Sequence, residues 1–314
     1  MLNSELCSIL GIEYPIFQGG MAWIADGKLA AAVSEAGGLG IISAMNAGAD
    51  YLKKEIETAR SLTKNPFGVN IMLMSPHVAE VAQVVADMKV PVVTTGAGNP
   101  AKYMPMWQAA GIKVIPVIPS VMLAKRMEKL GAVAVVAEGG ESGGHIGELN
   151  TMALVPQVAD ALSIPVIAAG GIGDGRGIAA AFMLGAKGVQ MGTRFLVAAE
   201  CGVHPNYKAK VLKASDIDTI VTGRKLGHPV RSLKTSFSRN FFMKENDPSI
   251  SNEELESAGI GALKAAAVDG DDAKGCFIAG QIAGMVNKEQ SAKEIIDELV
   301  SQAEELLKGT KWVK

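Results

Sequence analysis

Aromatic side chains make up only 5% of this chain, so a core must come from Ala, Val, Ile, Leu and Met, within a hydrophobic fraction of 48%. Cysteine is scarcer still. Cys7, Cys201 and Cys276 are odd in number and far apart, which argues against a disulfide framework. No CxxC pair or ligand cluster with zinc spacing occurs, so no metal site is expected. Neither sign of charge dominates: 30 Lys and Arg against 32 Asp and Glu give −2, without the surplus that general nucleic-acid binding requires. No apolar run approaches the ~18 residues that cross a bilayer. The N-terminus has no basic stretch ahead of an apolar core, and Glu5 interrupts it early. A cytoplasmic protein with neither nucleic-acid nor membrane partners is expected.

What the chain does have is a rhythm. Short apolar runs alternate with helical patterns: strands at Tyr14–Gln18, Leu39–Ile42, Val69–Met72, Pro91–Thr95, Lys113–Ile118, Ala132–Ala137, Ile164–Ala169 and Gly188–Met191. Helices are expected between them, at 29–36, 49–62, 78–88, 101–110, 121–129, 152–161 and 176–184. Continuous apolar runs suit parallel strands covered on both faces. Eight such units in about 200 residues specify an α/β fold, a (β/α)8 TIM barrel. A doubly wound sheet is the rival, but no GxGxxG follows the first strand. After about Gly202 the pattern changes. Residues 1–202 and about 289–314 are read as the barrel domain. Residues about 203–288 are read as a small, α-rich, basic subdomain at the barrel mouth, a lid or substrate-binding unit. Helix 291–307 then packs back on the barrel.

Ligands of such barrels bind at the carboxyl ends of the strands. Read in order, those ends carry Gln18-Gly19-Gly20-Met21, Asn70 and Met72, Thr94-Thr95-Gly96, and Glu138 with Ser142–His145. Ala169-Gly170-Gly171 and Gln190-Met191-Gly192-Thr193 complete the set. The last two glycine turns suit a phosphate dianion bound by backbone N–H groups, with the Thr193 hydroxyl donating another bond. His145 lies in the loop Glu138–Gly147 and suits proton donation or polarisation of an oxygen, since an imidazole titrates near neutral pH. A loop histidine held for structure is the plainer alternative. Glu138 orients that loop or accepts hydrogen bonds from a ligand, and Glu141 is expected to be solvated. His77, His204 and His228 suit capping or ordinary loop roles. Met21, Met72, Met74 and Met191 suit core packing or contact with a flat cofactor. Between His204 and Glu245 nine cations face three carboxylates. That segment is either a solvated face or a means of steering an acidic carrier or phosphorylated substrate.

The stretches Pro15–Ala22, Gly68–Met72, Thr94–Pro100, Glu141–Gly147, Ala168–Gly175, Gln190–Phe195, His204–Lys208 and Ala279–Gly284 together resemble the flavin-dependent enoyl-acyl-carrier-protein reductase II family, within the larger nitronate monooxygenase-like group. The likeness spans nearly the whole chain. It implies an FMN-bearing barrel that uses NADH, or less often NADPH, to reduce a trans-2-enoyl thioester in fatty-acid elongation. It further implies activation by a monovalent cation. The expected partners are the acyl carrier protein and a second copy in a homodimer. Carried over by motif, Gly20, Met21, Ala22 and Asn70 lie against the flavin, and Glu138, Ser142, Gly143 and Gly144 line the same pocket. Gly170 and Gly171, with Gln190, Met191, Gly192 and Thr193, hold its phosphate side. His145 matches the active-site histidine. The competing enzyme is a nitronate monooxygenase, in which O2 reoxidises the flavin.

Overall fold

Eight parallel strands close into a barrel, as the alternation predicts. In the computed structural model, which describes residues 2–44 and 47–309, the strands are β1 Ile16–Gln18, β2 Leu39–Ser43, β3 Phe67–Met72, β4 Val92–Gly96, β5 Lys113–Ile118, β6 Val135–Glu138, β8 Val166–Ala169 and β9 Gly188–Met191. They run β1-β2-β3-β4-β5-β6-β8-β9, and β9 returns to β1 with Gln190 opposite Phe17. The missing number is β7, Gly144–His145, which belongs to a different sheet. Met1, Met45, Asn46 and the last five residues of the expected barrel segment lie outside the described residues.

The apolar runs divide as a two-sided strand must. Phe17, Leu39, Ile41, Val92, Ile115, Val136 and Ile167 form one buried cluster with Leu6, Cys7 and Leu10 of the helix Glu5–Leu10. Leu6 reaches the start of β9 at Gly188, so this helix closes the amino end of the barrel. The intervening residues Ile42, Val69, Ile71, Val93 and Val114 pack outward on helices Ala49–Leu62, Val78–Asp87 and Met104–Ala109. Each fully buried Leu, Ile or Val stabilises by about 1.5–3 kcal/mol. The closed amino end leaves the carboxyl end for function.

Several boundaries shift for physical reasons. The sixth strand starts at Val135 rather than Ala132, because the N–H groups of Leu130, Gly131 and Ala132 close the preceding helix on Arg126, Glu128 and Met127. The helix expected at 101–110 breaks into a turn at Pro100–Lys102 and a helix from Met104, with prolines opening both.

The eighth helix comes from far along the chain. Helix Ala292–Leu307, capped by Ser291, packs against helices Gly175–Met183 and Gly27–Glu35. Its Gln302 Oε1 accepts from Gly175 N at 3.0 Å. The intervening chain holds helices Pro205–Lys213, Ser236–Glu245 and Asn252–Gly259, in keeping with an α-rich unit. It also builds β10 Thr219–Thr222 and β11 Val230–Leu233, which were not expected. These pair antiparallel, and β11 takes β7 from the barrel as its other neighbour. Truncating Leu299, buried under the closing helix, is expected to lower stability by about 2–5 kcal/mol in chemical denaturation. Truncating exposed Leu62 is expected to stay within about 1 kcal/mol of wild type.

Candidate active site

The strand ends bring most of the predicted residues to one mouth. Gln18 is buried, and its carboxamide exchanges two hydrogen bonds with the backbone of Ile41, at 3.1 and 3.2 Å. That fixes the turn into Gly19-Gly20. A Cβ at Gly20 would fall 2.3 Å from the Asn70 Cβ, so the residue there has to be glycine for the turn to rest on Asn70. The Asn70 Oδ1 accepts from the Thr94 hydroxyl at 3.0 Å, which leaves its N–H2 free to donate. The Met21 thioether lies against Gly192, joining the turns after β1 and β9, and Ala22 is exposed. Gln190 lies against Gly19. Met191 is different: its side chain is core, and its carbonyl accepts from Gly19 N at 3.0 Å.

After β6 the chain enters the glycine loop. Glu138 accepts from the Ser142 hydroxyl at 3.0 Å. It keeps a little solvent exposure, yet protein surrounds its carboxyl. That desolvation raises its pKa to about 7, against the lowering effect of Ser142. Glu141 is not solvated as expected. Its carboxylate accepts from Thr151 N at 3.0 and 3.1 Å and from Thr151 Oγ1 at 2.9 Å, at the start of helix Thr151–Ala161, where a negative charge is favoured. Gly143 abuts the backbone of Ala279 and Gly280.

The turns after β8 and β9 carry glycines, with the Glu141 side chain beside Gly171 and Met21 beside Gly192. Gly170 and Gly171 take φ of 89° and 71°, a left-handed pair that only glycine adopts without strain. Thr193 opens the short turn Thr193–Val197, and its Oγ1 accepts from Gly280 N at 2.8 Å. The hydroxyl therefore anchors the 279–284 stretch and retains its proton for a second partner.

His145 stands on β7, opposite Val230, with Gly144 opposite Arg231 and Ile146 N bonded to Pro229 O at 3.0 Å. The loop that the sequence presents as a glycine excursion is an edge strand of the accessory sheet. The His145 ring is exposed at the rim, 6.5 Å from the His228 ring in an edge-on arrangement. Protein still flanks it, and that desolvation, followed by the charge of His228, lowers its pKa. His228, read as a loop residue, is thus a neighbour of His145.

Arg231 is the residue that sequence reasoning misplaced. Its Nε and Nη2 both donate to the Gly140 carbonyl, at 3.1 and 2.9 Å, and Nη1 donates to Thr219 Oγ1 at 3.1 Å. It clamps the loop. Lys225 donates to the Ile250 carbonyl at 2.7 Å, and Lys208 and Lys210 pair with Glu289 and Asp272. Much of the basic segment is therefore committed internally. Thr151, Arg231 and Gly280 were missed as site residues because their partners lie 10 to 91 residues away.

A flavin mononucleotide fits this mouth. A Cβ on Gly96, which pairs with Met72 at the end of β4, would meet nothing within 4 Å, so that strand end is open. Glycine turns such as Gly170-Gly171 and Gly192-Thr193 are of the kind that suits a phosphate, which takes hydrogen bonds from backbone N–H groups. Among the described residues, no group of three or more His, Cys, Asp and Glu could hold a metal ion. No described helix is long and apolar enough to cross a membrane.

Comparison with known proteins agrees with this architecture. The profile of the family described as nitronate monooxygenase matches residues 3–84 and 80–302. The structure of FabK from Thermotoga maritima superposes with a TM-score of 0.95 at 49% identity, covering 98% of each chain. A probable nitronate monooxygenase of Staphylococcus saprophyticus is 32% identical, over 98% of this chain and 99% of that one. An octahydro-indene-carboxyl-CoA dehydrogenase of Mycobacterium tuberculosis is 34% identical over 96% of both.

The raised pKa of Glu138 has a stability consequence. Between its ordinary 4.5 and about 7 the folded state binds a proton that the unfolded state releases, so stability falls as pH rises through that window. The cost above the window is at most about 3 kcal/mol, less for residual solvent contact. Glu138→Gln is expected to raise the melting temperature at pH 8 and to have little effect at pH 5. An equal shift at both would count against a buried, ionising carboxyl.

Proposed function

The chain belongs to the nitronate monooxygenase family of FMN-dependent oxidoreductases, and from that premise we propose that it reduces trans-2-enoyl thioesters on an acyl carrier protein with NADH or NADPH. The observation that carries this reading is the end-to-end match to FabK at 49% identity, against 32% to the probable nitronate monooxygenase. The CoA dehydrogenase at 34% adds a relative named for a thioester of similar chemistry. The remaining parts of the reading, a monovalent-cation activator, a homodimer and a place in fatty-acid synthesis, rest on the motif resemblance.

In this proposal Asn70, Gly170-Gly171, Gln190 and Gly192-Thr193 hold the flavin, with Gly20–Ala22 and the Glu138–Gly144 loop against it. FMN, when bound, supplies the relay that takes hydride from the nicotinamide and returns it to the β-carbon of the enoyl thioester. Negative charge then grows on the thioester oxygen, a preorganised donor at that oxygen lowers the barrier, and a proton taken from solvent at the α-carbon completes the reduction. His145 is the donor. Desolvation and the neighbouring His228 keep its ring neutral near pH 7, so it polarises the oxygen through an N–H rather than acting as an imidazolium. Activity that needs the neutral ring declines as pH falls through the lowered pKa.

The test is anaerobic. Flavin-loaded protein is reduced with NADH and mixed with a crotonyl thioester. Reoxidation without O2 is expected, slowed by about 10²-fold or more in His145→Ala with flavin binding retained. Reoxidation that requires O2 and a nitronate, with none by the thioester, would assign the chain to nitronate oxidation instead. Wild-type rates in His145→Ala would remove the histidine from the mechanism.

A further inference from the structure

The sheet-bearing segment carries a second concave surface. A groove with a cavity volume of about 440 Å³ runs between helix Ser236–Glu245 and the turn at Ile260–Ala262. Phe237, Phe241, Ile260 and Ala262 supply its apolar wall, and Lys244 and Lys274 its charge; no carboxylate lines it. Ile260 is 82% exposed, and the adjoining Met243 is 71% exposed on the same helix as Lys244. Lys244 and Lys274 form no ion pair among the described residues, unlike Lys208 and Lys210 nearby. Both are exposed and open to a partner.

The groove also shares an element with the active-site mouth. Helix Ala262–Lys264 gives Ala262 to the groove wall, and its Lys264 Nζ sits 5.5 Å from the centroid of the Trp23 ring. Trp23 holds a positive φ of 65° immediately after the Gly20–Ala22 turn. A protein seated in the groove would therefore stand beside the entrance to the barrel.

We propose that this groove docks the carrier protein, receiving an amphipathic helix that presents apolar anchors flanked by Asp and Glu. The inference rests on the reductase reading for the identity of the partner. The apolar wall takes the anchors at helical spacing, as helix-in-groove recognition requires. Lys244 and Lys274 face the acidic flanks, giving attraction that salt screens. No carboxylate lies in the lining, and of the two that adjoin it Asp272 is paired with Lys210 and Asp271 accepts from Ala273 N and Lys274 N.

The test uses a fluorescently labelled, purified acidic holo-acyl carrier protein, titrated by anisotropy against the flavin-loaded enzyme. Wild type is expected to bind, more weakly as salt rises. The double variant Lys244→Glu with Lys274→Glu is expected to raise Kd by about tenfold or more, and Lys53→Glu, on a distant exposed helix, to leave it unchanged. The same double variant is expected to lower kcat/KM for the carrier-linked enoyl substrate through KM and to spare crotonyl-N-acetylcysteamine. No carrier binding by wild type, or equal Kd in the double variant and wild type, would overturn the proposal. So would a changed self-association in sedimentation with carrier binding intact, which would make the groove a contact between two copies. Groove-dependent carrier binding without reduction of either thioester would leave the docking site standing and overturn the reductase reading.

Discussion

The fork of Arg231 on the Gly140 carbonyl is the contact on which the rest of the mouth depends. It joins a strand of the accessory sheet to the loop that leaves β6, at 3.1 and 2.9 Å, and β7 then pairs with β11 along Gly144 and His145. A glycine-rich loop has much conformational freedom to lose. Bidentate donation from a half-buried guanidinium, a charge-assisted bond worth about 1.5–3 kcal/mol, offsets part of that loss. The Glu141 carboxylate on Thr151 secures the same loop from the barrel side. The 279–284 stretch holds it from a third direction through Gly143 and the bond from Gly280 to Thr193. His145 owes its position to these three attachments.

The arrangement explains why the accessory segment is inserted between β9 and the helix that closes the barrel. The barrel supplies a rigid floor of strand ends, on which Asn70 and Glu138 are set by ladder pairing and Gly170 and Gly192 follow directly after β8 and β9. The inserted chain extends an antiparallel sheet to a two-residue strand of the barrel's own loop. Division of work follows: the floor binds the cofactor in the proposed function, while the sheet positions the histidine. Burial of Glu138 at the junction of the two carries a pH-dependent cost, a sign that the site is not built for stability alone.

Much of the barrel was legible in the sequence because it is repetitive and local. Eight apolar runs bounded by glycine or polar residues report parallel strands one at a time, and several helices carry their own side-chain cap, as with Asp26, Ser120 and Asp174. The glycine turns after β8 and β9 could be read for the same reason. The accessory sheet could not. Thr219–Thr222 and Val230–Leu233 are four residues each and sit among lysines and arginines, so their period-two pattern is lost in the charge signal. Arg231 looked like one more surface cation, and Glu141 like a solvated acid. Their roles are set by partners 91 and 10 residues away, which no local pattern reports.

The central claim, that Arg231 holds the His145 loop as a strand of the accessory sheet, is tested most directly by amide hydrogen exchange at Ile146 in wild type and Arg231→Lys. Lysine keeps the charge and loses the fork. The Ile146 N–H, bonded to Pro229 O at 3.0 Å, is expected to be protected in wild type and to exchange roughly tenfold faster or more in the variant, while amides of β3 and β4 keep their protection. Unchanged exchange at Ile146, or an equal loss across the barrel strands, would contradict it.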